Sequence, residues 1–162
     1  MKNPFRPAKF WPALGYAALA GSRATFAPAF VSRYLSRQLF NPRLIGSPFR
    51  YLAKPGVTIG LELLTLAELA GDKMPKAPNR TVPQQLGTRA AAGALAAAAL
   101  YKSKGGSPWL GALVGVAGTV AATYATFWLR KQATDALQGN AVLSGFGEDA
   151  LAAAGGLALS RK

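Results

Sequence analysis

The sequence predicts an all-α protein, a polytopic helical membrane protein with about five hydrophobic helices. Two observations carry this. About half of the 162 residues are apolar and only 15% are charged. One stretch, Trp109–Leu129 (WLGALVGVAGTVAATYATFWL), holds no charge at all. That stretch is long enough to cross ~30 Å of hydrocarbon, and it lacks the polar face of a surface helix.

Each segment follows from local chemistry. Residues 1–9 are short, basic and Pro-containing. The first apolar segment runs from Phe10 to about Phe30, with Arg23 and Pro28 inside it. Pro28 removes one backbone donor, so a break in the helix is expected there. Residues 31–55 mix Arg33, Arg37, Arg43, Arg50 and Lys54 with apolar side chains and prolines. An amphipathic, interface-lying connection with snorkelling Arg is expected, or else an ordinary solvated loop. The second segment, Gly56–Gly71, carries Glu62 and Glu68, and a Pro-rich loop fills 72–85. Residues 86–101 are Ala-rich and helix-favouring. Pro108 suits the first turn of the fourth helix, and Arg130 and Lys131 close it. The fifth segment, Ala141–Leu159, contains Glu148 and Asp149, expected to cap a shorter last helix. All of 1–162 reads as a single membrane domain.

Charge and composition exclude several functions. Lys and Arg outnumber Asp and Glu by 19 to 6, and there is neither Cys nor His. Disulfide scaffolds, Cys/His zinc sites and His-based catalysis are therefore ruled out. The cations fall between apolar segments, which suits the lipid bilayer and its anionic headgroups better than nucleic acid. No cofactor or metal is expected, and no enzyme, since only carboxylates are on offer for chemistry.

An internal repeat is also expected. Trp11 aligns with Trp109, Ala24-Thr25-Phe26-Ala27 with Ala122-Thr123-Tyr124-Ala125, and Gly60-Leu61-Glu62 with Gly147-Glu148-Asp149. Five spans would make it an inverted repeat, with helices 1–2 antiparallel to helices 4–5. They would also put the termini on opposite sides and divide the cations nine against nine, leaving orientation unassigned.

Ionisable residues at membrane depth cost at least ~2.5–3.5 kcal/mol unless paired or wetted, so each is a candidate site. Arg23 stands in GSRATFAP, and Glu62, Thr65, Glu68 and Asp72 share one arc of the second helix. This stripe would hold a cation, relay protons, or pair with Arg23 and Arg89. Gly111, Gly115 and Gly118 form a small face for close helix packing.

With GSRATFAP, LELLTLAELAGDKMPKAPNRT and RAAAGALA in view, the chain resembles an uncharacterised family of small bacterial integral membrane proteins, known as a domain of unknown function. The likeness runs from Trp11 to Leu159. Its most specific piece is Glu68–Pro75 with Pro78 and Arg80. The resemblance implies a bacterial cytoplasmic membrane location and no particular activity. The expected function is binding or moving a small solute or ion between two inverted halves, as a homo-oligomer. The alternative is a non-transporting scaffold or accessory subunit held by a membrane-protein partner.

Overall fold

The computed structural model describes residues 7–38, 40–71, 83–136 and 141–161. Among them the chain is all-helical. The α-helices are α1 (Pro7–Ser22), α2 (Phe26–Ser36), α3 (Pro55–Gly71), α4 (Pro83–Ser103), α5 (Pro108–Ala136) and α6 (Ala141–Arg161). Two 3-10 turns, Pro42–Leu44 and Pro48–Ala53, join α2 to α3.

Proline sets most of the starts. It opens α1, α3, α4, α5 and both 3-10 turns, where its missing N–H removes nothing a helix uses. Asn41 and Ser47 cap the two 3-10 turns by accepting from the amides of Arg43 and Phe49. Gly105 ends α4 with φ of +70°, a left-handed conformation that favours glycine. Gly106 N–H then donates back to Tyr101 O at 2.7 Å.

The first apolar segment does not cross the molecule as one helix. It breaks at Arg23–Thr25, three residues before the expected proline, and turns back. Pro28 lies in the first turn of α2, where it is tolerated. The reversal is fixed at both ends. At the start of α1, Ala8 O accepts from Lys104 Nζ at 3.0 Å. Beyond α2, Asn41 Nδ2 donates to Ser103 O at 3.1 Å. Both therefore meet the α4–α5 turn, so α1 and α2 form a helical hairpin that enters and leaves at one end. This end is called the basal end below.

The remaining helices run through the bundle. Ser32 and Thr58 hydroxyls meet at 2.8 Å while Thr25 meets Glu68, so α3 is antiparallel to α2. Thr119 Oγ1 donates to Ala17 O and Thr123 Oγ1 to Gly21 O. The paired numbers rise together, so α1 and α5 run in the same direction. Their matched segments were expected to be inverted. Gly156 lies against Phe30, and Arg37 donates to Ser160 O, so α6 returns toward the basal end and is antiparallel to α3. One matched pair is parallel and the other antiparallel, and no single in-plane two-fold axis relates them. Lys9 and Arg161 also lie toward the same end, because the hairpin removes one crossing.

The centre of the bundle is α4, for a steric reason. Its run Ala96–Ala99 is buried with Leu100 and Tyr101, and alanine lets neighbours approach closely. A Cβ added at Gly115 would lie 2.3 Å from Gly93 O, and one at Gly111 2.6 Å from Ala97 O. At Gly118 it would lie 2.8 Å from the Ala17 Cβ. The small face of α5 thus packs α4 and α1 within the chain, and its G-x-x-x-G is not left open for a second copy. Tyr16, Phe26, Val31 and Leu35 complete the core.

Of the segments read as spans, one stretch among the described residues, Pro108–Leu129, is long and apolar enough to cross a membrane. Only 22% of that window is buried, unlike the core helix of a soluble bundle. The 31–55 connection is neither a continuous amphipathic helix nor an open loop: residues 31–36 complete α2, and the prolines after them fold the rest into the two short turns. Glu148 and Asp149 stand well inside α6, not at its start, since the helix begins at Ala141.

Candidate functional site: the hairpin tip

The tip of the hairpin, Ser22–Thr25, leaves backbone groups at two helix ends that need partners. Glu68 of α3 meets the donors. Its carboxylate accepts from Ala24 N at 3.3 Å, Thr25 N at 3.1 Å and the Thr25 hydroxyl. Thr25 occupies the N-cap position of α2 but makes no capping bond with its own side chain. The Glu68 carboxylate serves as the cap instead, at the end of the helix dipole that favours an anion.

Arg89 of α4 meets the acceptors. Its Nη1 donates to Gly21 O at 2.6 Å and Ser22 O at 2.7 Å, the last carbonyls of α1, where the dipole favours a cation. Thr123 Oγ1 also reaches Gly21 O, at 3.4 Å. Gly21 itself is required. A Cβ there would lie 2.6 Å from the Ala122 Cβ, so α1 could not approach α5 at the tip.

The tip is deep. Gly21 faces Ala122, 14 residues beyond Pro108, which is ~21 Å along α5 at 1.5 Å per residue. Arg23 is only 3% exposed and Arg89 2%. The Arg89 guanidinium and the partly buried Glu68 carboxylate thus hold a break in the backbone that carries the buried Arg23.

The predicted stripe divides. Glu68 and Arg89 hold the same tip that carries Arg23. Glu62 lies nearer the basal end and pairs with Arg33 at 3.1 Å, both partly exposed. Thr65 donates to Leu61 O of its own helix at 2.8 Å and reaches no other element through that bond. Asp72 lies outside the described residues. Arg33 was assigned to a basic connection and is instead the partner of a helix-borne acid. Thr25, Thr119 and Thr123 were also missed. A signal existed for Thr25, a good N-cap residue three positions before a proline. None existed for Thr119 and Thr123, whose hydroxyls looked like apolar filler.

Fold and site together define an all-helical protein organised around a helical hairpin whose tip is clamped by an acid and a base. The chain belongs to the family described as a domain of unknown function, DUF4126, which matches residues 11–160. No curated protein and no solved structure gives a match.

Proposed function

We propose that the protein is a polytopic helical membrane protein of the bacterial cytoplasmic membrane that binds or moves a small solute or ion at the hairpin tip. One observation carries the reading: a backbone break with buried Arg23 and Arg89 and partly buried Glu68 at the depth of the apolar α5 span. Broken helices inside a bilayer are tolerated where protein buries them or water lines them, and they recur at transporter binding sites. Glu68 stands on the α2 amides as a tethered anion and Arg89 on the α1 carbonyls as a tethered cation. A solute with either charge would compete with the corresponding side chain, and its binding would loosen the clamp. The apolar surface of α3, α5 and α6 supports the membrane placement, with Leu63, Leu66, Leu113 and Leu151 each at least 60% exposed.

The alternative is a non-transporting scaffold or accessory subunit, favoured by the fact that Glu62 and Glu68 both find partners within the chain. Native mass spectrometry of gently extracted wild type, Arg23→Ala and Glu68→Gln separates the two. The transport reading expects a defined small ligand on the wild type, in a homo-oligomer, that both folded variants lose. Unaltered binding in both variants refutes it. A stoichiometric foreign protein retained by the variants makes the chain a subunit.

A further inference from the structure

The basal end carries a second surface that the hairpin tip does not use. The hairpin brings Lys9 to the same end as Arg37, Arg43, Arg50, Lys54, Lys102 and Lys104. A Cβ at Gly106 would lie 3.4 Å from Lys9 Cδ, and one at Gly105 3.1 Å from Arg43 Nε. No Asp or Glu occurs in residues 1–61 or 73–134, which include the start of α1, both 3-10 turns and the α4–α5 turn. The first acid of the chain, Glu62, is engaged by Arg33.

Large aromatic and apolar side chains stand among these cations. Phe40 is 74% exposed, Ile45 64%, Trp11 66% and Trp109 82%. Tyr51 lies between two cations, with Arg50 5.0 Å and Lys54 4.9 Å from its ring. The Arg50 guanidinium also donates to its hydroxyl and holds its pKa below the usual tyrosine value. An open pocket of about 260 Å³ lies between the two 3-10 turns, lined by Leu35, Phe40, Asn41, Leu44, Ile45 and Arg50. Its lining is largely apolar, with Gln38, Asn41 and one cation, Arg50, among it. The side-chain caps of Asn41 and Ser47 hold the turns that shape it.

We propose that this surface docks an anionic phospholipid, with the headgroup phosphate on Arg43, Arg50 and Lys54 and the upper acyl chain against Phe40, Ile45 and the pocket wall. Three arguments commit the surface to a bilayer lipid. The charge is of one sign, with no acid to compensate it. Exposed Trp109 at the start of the Pro108–Leu129 span marks the level of an interface. A free phosphate would satisfy the cations but not the exposed Phe40 and Ile45.

The inference shares only the membrane placement with the preceding proposal. The test reconstitutes the full chain into nanodiscs of phosphatidylcholine, with and without phosphatidylglycerol, and counts the lipids retained on release by native mass spectrometry. Wild type is expected to retain phosphatidylglycerol selectively, and 10 mM inorganic phosphate is not expected to displace it. The triple variant Arg43→Gln/Arg50→Gln/Lys54→Gln is expected to bind it roughly tenfold to a hundredfold more weakly, while Arg130→Gln/Lys131→Gln retains it. Equal retention by the triple variant, equal loss in both variants, or displacement by phosphate each overturns the proposal. Insertion without lipid selectivity overturns it alone. Failure to insert in either lipid overturns the membrane placement as well.

Discussion

Removing the Glu68 carboxylate tests the clamp directly. In Glu68→Ala the amides of Ala24 and Thr25 and the Thr25 hydroxyl all lose their acceptor. An unsatisfied buried amide costs about 1–3 kcal/mol. Glu68 is only partly buried, so about 1 kcal/mol for each amide is the appropriate end of that range. Loss of an anion at the α2 N-terminus adds about 0.5–1 kcal/mol. The expected destabilisation is therefore about 3 kcal/mol. Glu68→Gln keeps one acceptor oxygen and the side-chain shape but loses the charge, and about 1 kcal/mol is expected. The assay is reversible SDS titration in mixed micelles, followed by helical circular dichroism and by the fluorescence of Trp11, Trp109 and Trp128. An alanine variant within about 0.5 kcal/mol of wild type would refute the clamp, because the tip amides would then have another partner. Equal losses for alanine and glutamine would assign the effect to charge, not to capping.

Other consequences are as direct. Gly115→Ala and Gly93→Ala force contacts of 2.3 Å and 1.9 Å, and each is expected to cost more than about 2 kcal/mol by overpacking the α4–α5 contact. Gly60→Ala, on the open face of α3, is expected to stabilise by about 0.5–1 kcal/mol in the same titration. Arg33→Gln is expected to cost less than about 1 kcal/mol, because the Arg33–Glu62 pair is partly exposed. The chain has no cysteine, so single cysteines report topology cleanly. Ala8→Cys and Tyr51→Cys are expected to label from one side of a sealed vesicle and Gln132→Cys from the other; labelling of Ala8→Cys and Tyr51→Cys from opposite sides would rule out the hairpin.

Helix content was legible in the sequence because it rests on local chemistry. The apolar run of α5, the alanines of α4 and Pro108 at a helix start all act over one or two turns. Arg23, Glu68 and Arg89 were legible as residues too costly to bury without a reason. Direction was not. Whether Phe10–Phe30 crosses or reverses depends on three residues, Arg23, Ala24 and Thr25, and those are stable as a turn only because Glu68 and Arg89 arrive from distant helices. Nothing in the local sequence reports that arrival, and a helix broken at a proline is the ordinary expectation. Once the direction of α1 is reversed relative to expectation, the inverted repeat, the opposed termini and the even division of charge fail together. They were one inference stated three ways. The partner of Glu62 was illegible for the same reason, since Arg33 faces α3 only because α2 returns alongside it.

The two clamps act on different bodies. Arg89 belongs to α4, which with α5 holds α1 through glycine contacts too close to slide. Glu68 belongs to α3, which packs chiefly against α2 and the 3-10 turn before it, and its outer face of Ile59, Leu63 and Leu66 is exposed. Gly56 and Gly60 of α3 face open space, so neither makes a close helix contact. The rigid side of the tip is therefore α1–Arg89 and the yielding side is α2–Glu68. A solute that displaces Glu68 would release α3 together with the first turn of α2 while the α1–α4–α5 core stays closed. Hydrogen exchange on the Glu68→Gln variant should accordingly rise in α2 and α3 and stay at the wild-type level in α4 and α5. A uniform rise across all helices would mean that the tip holds the whole bundle together, and that no part of it is built to open.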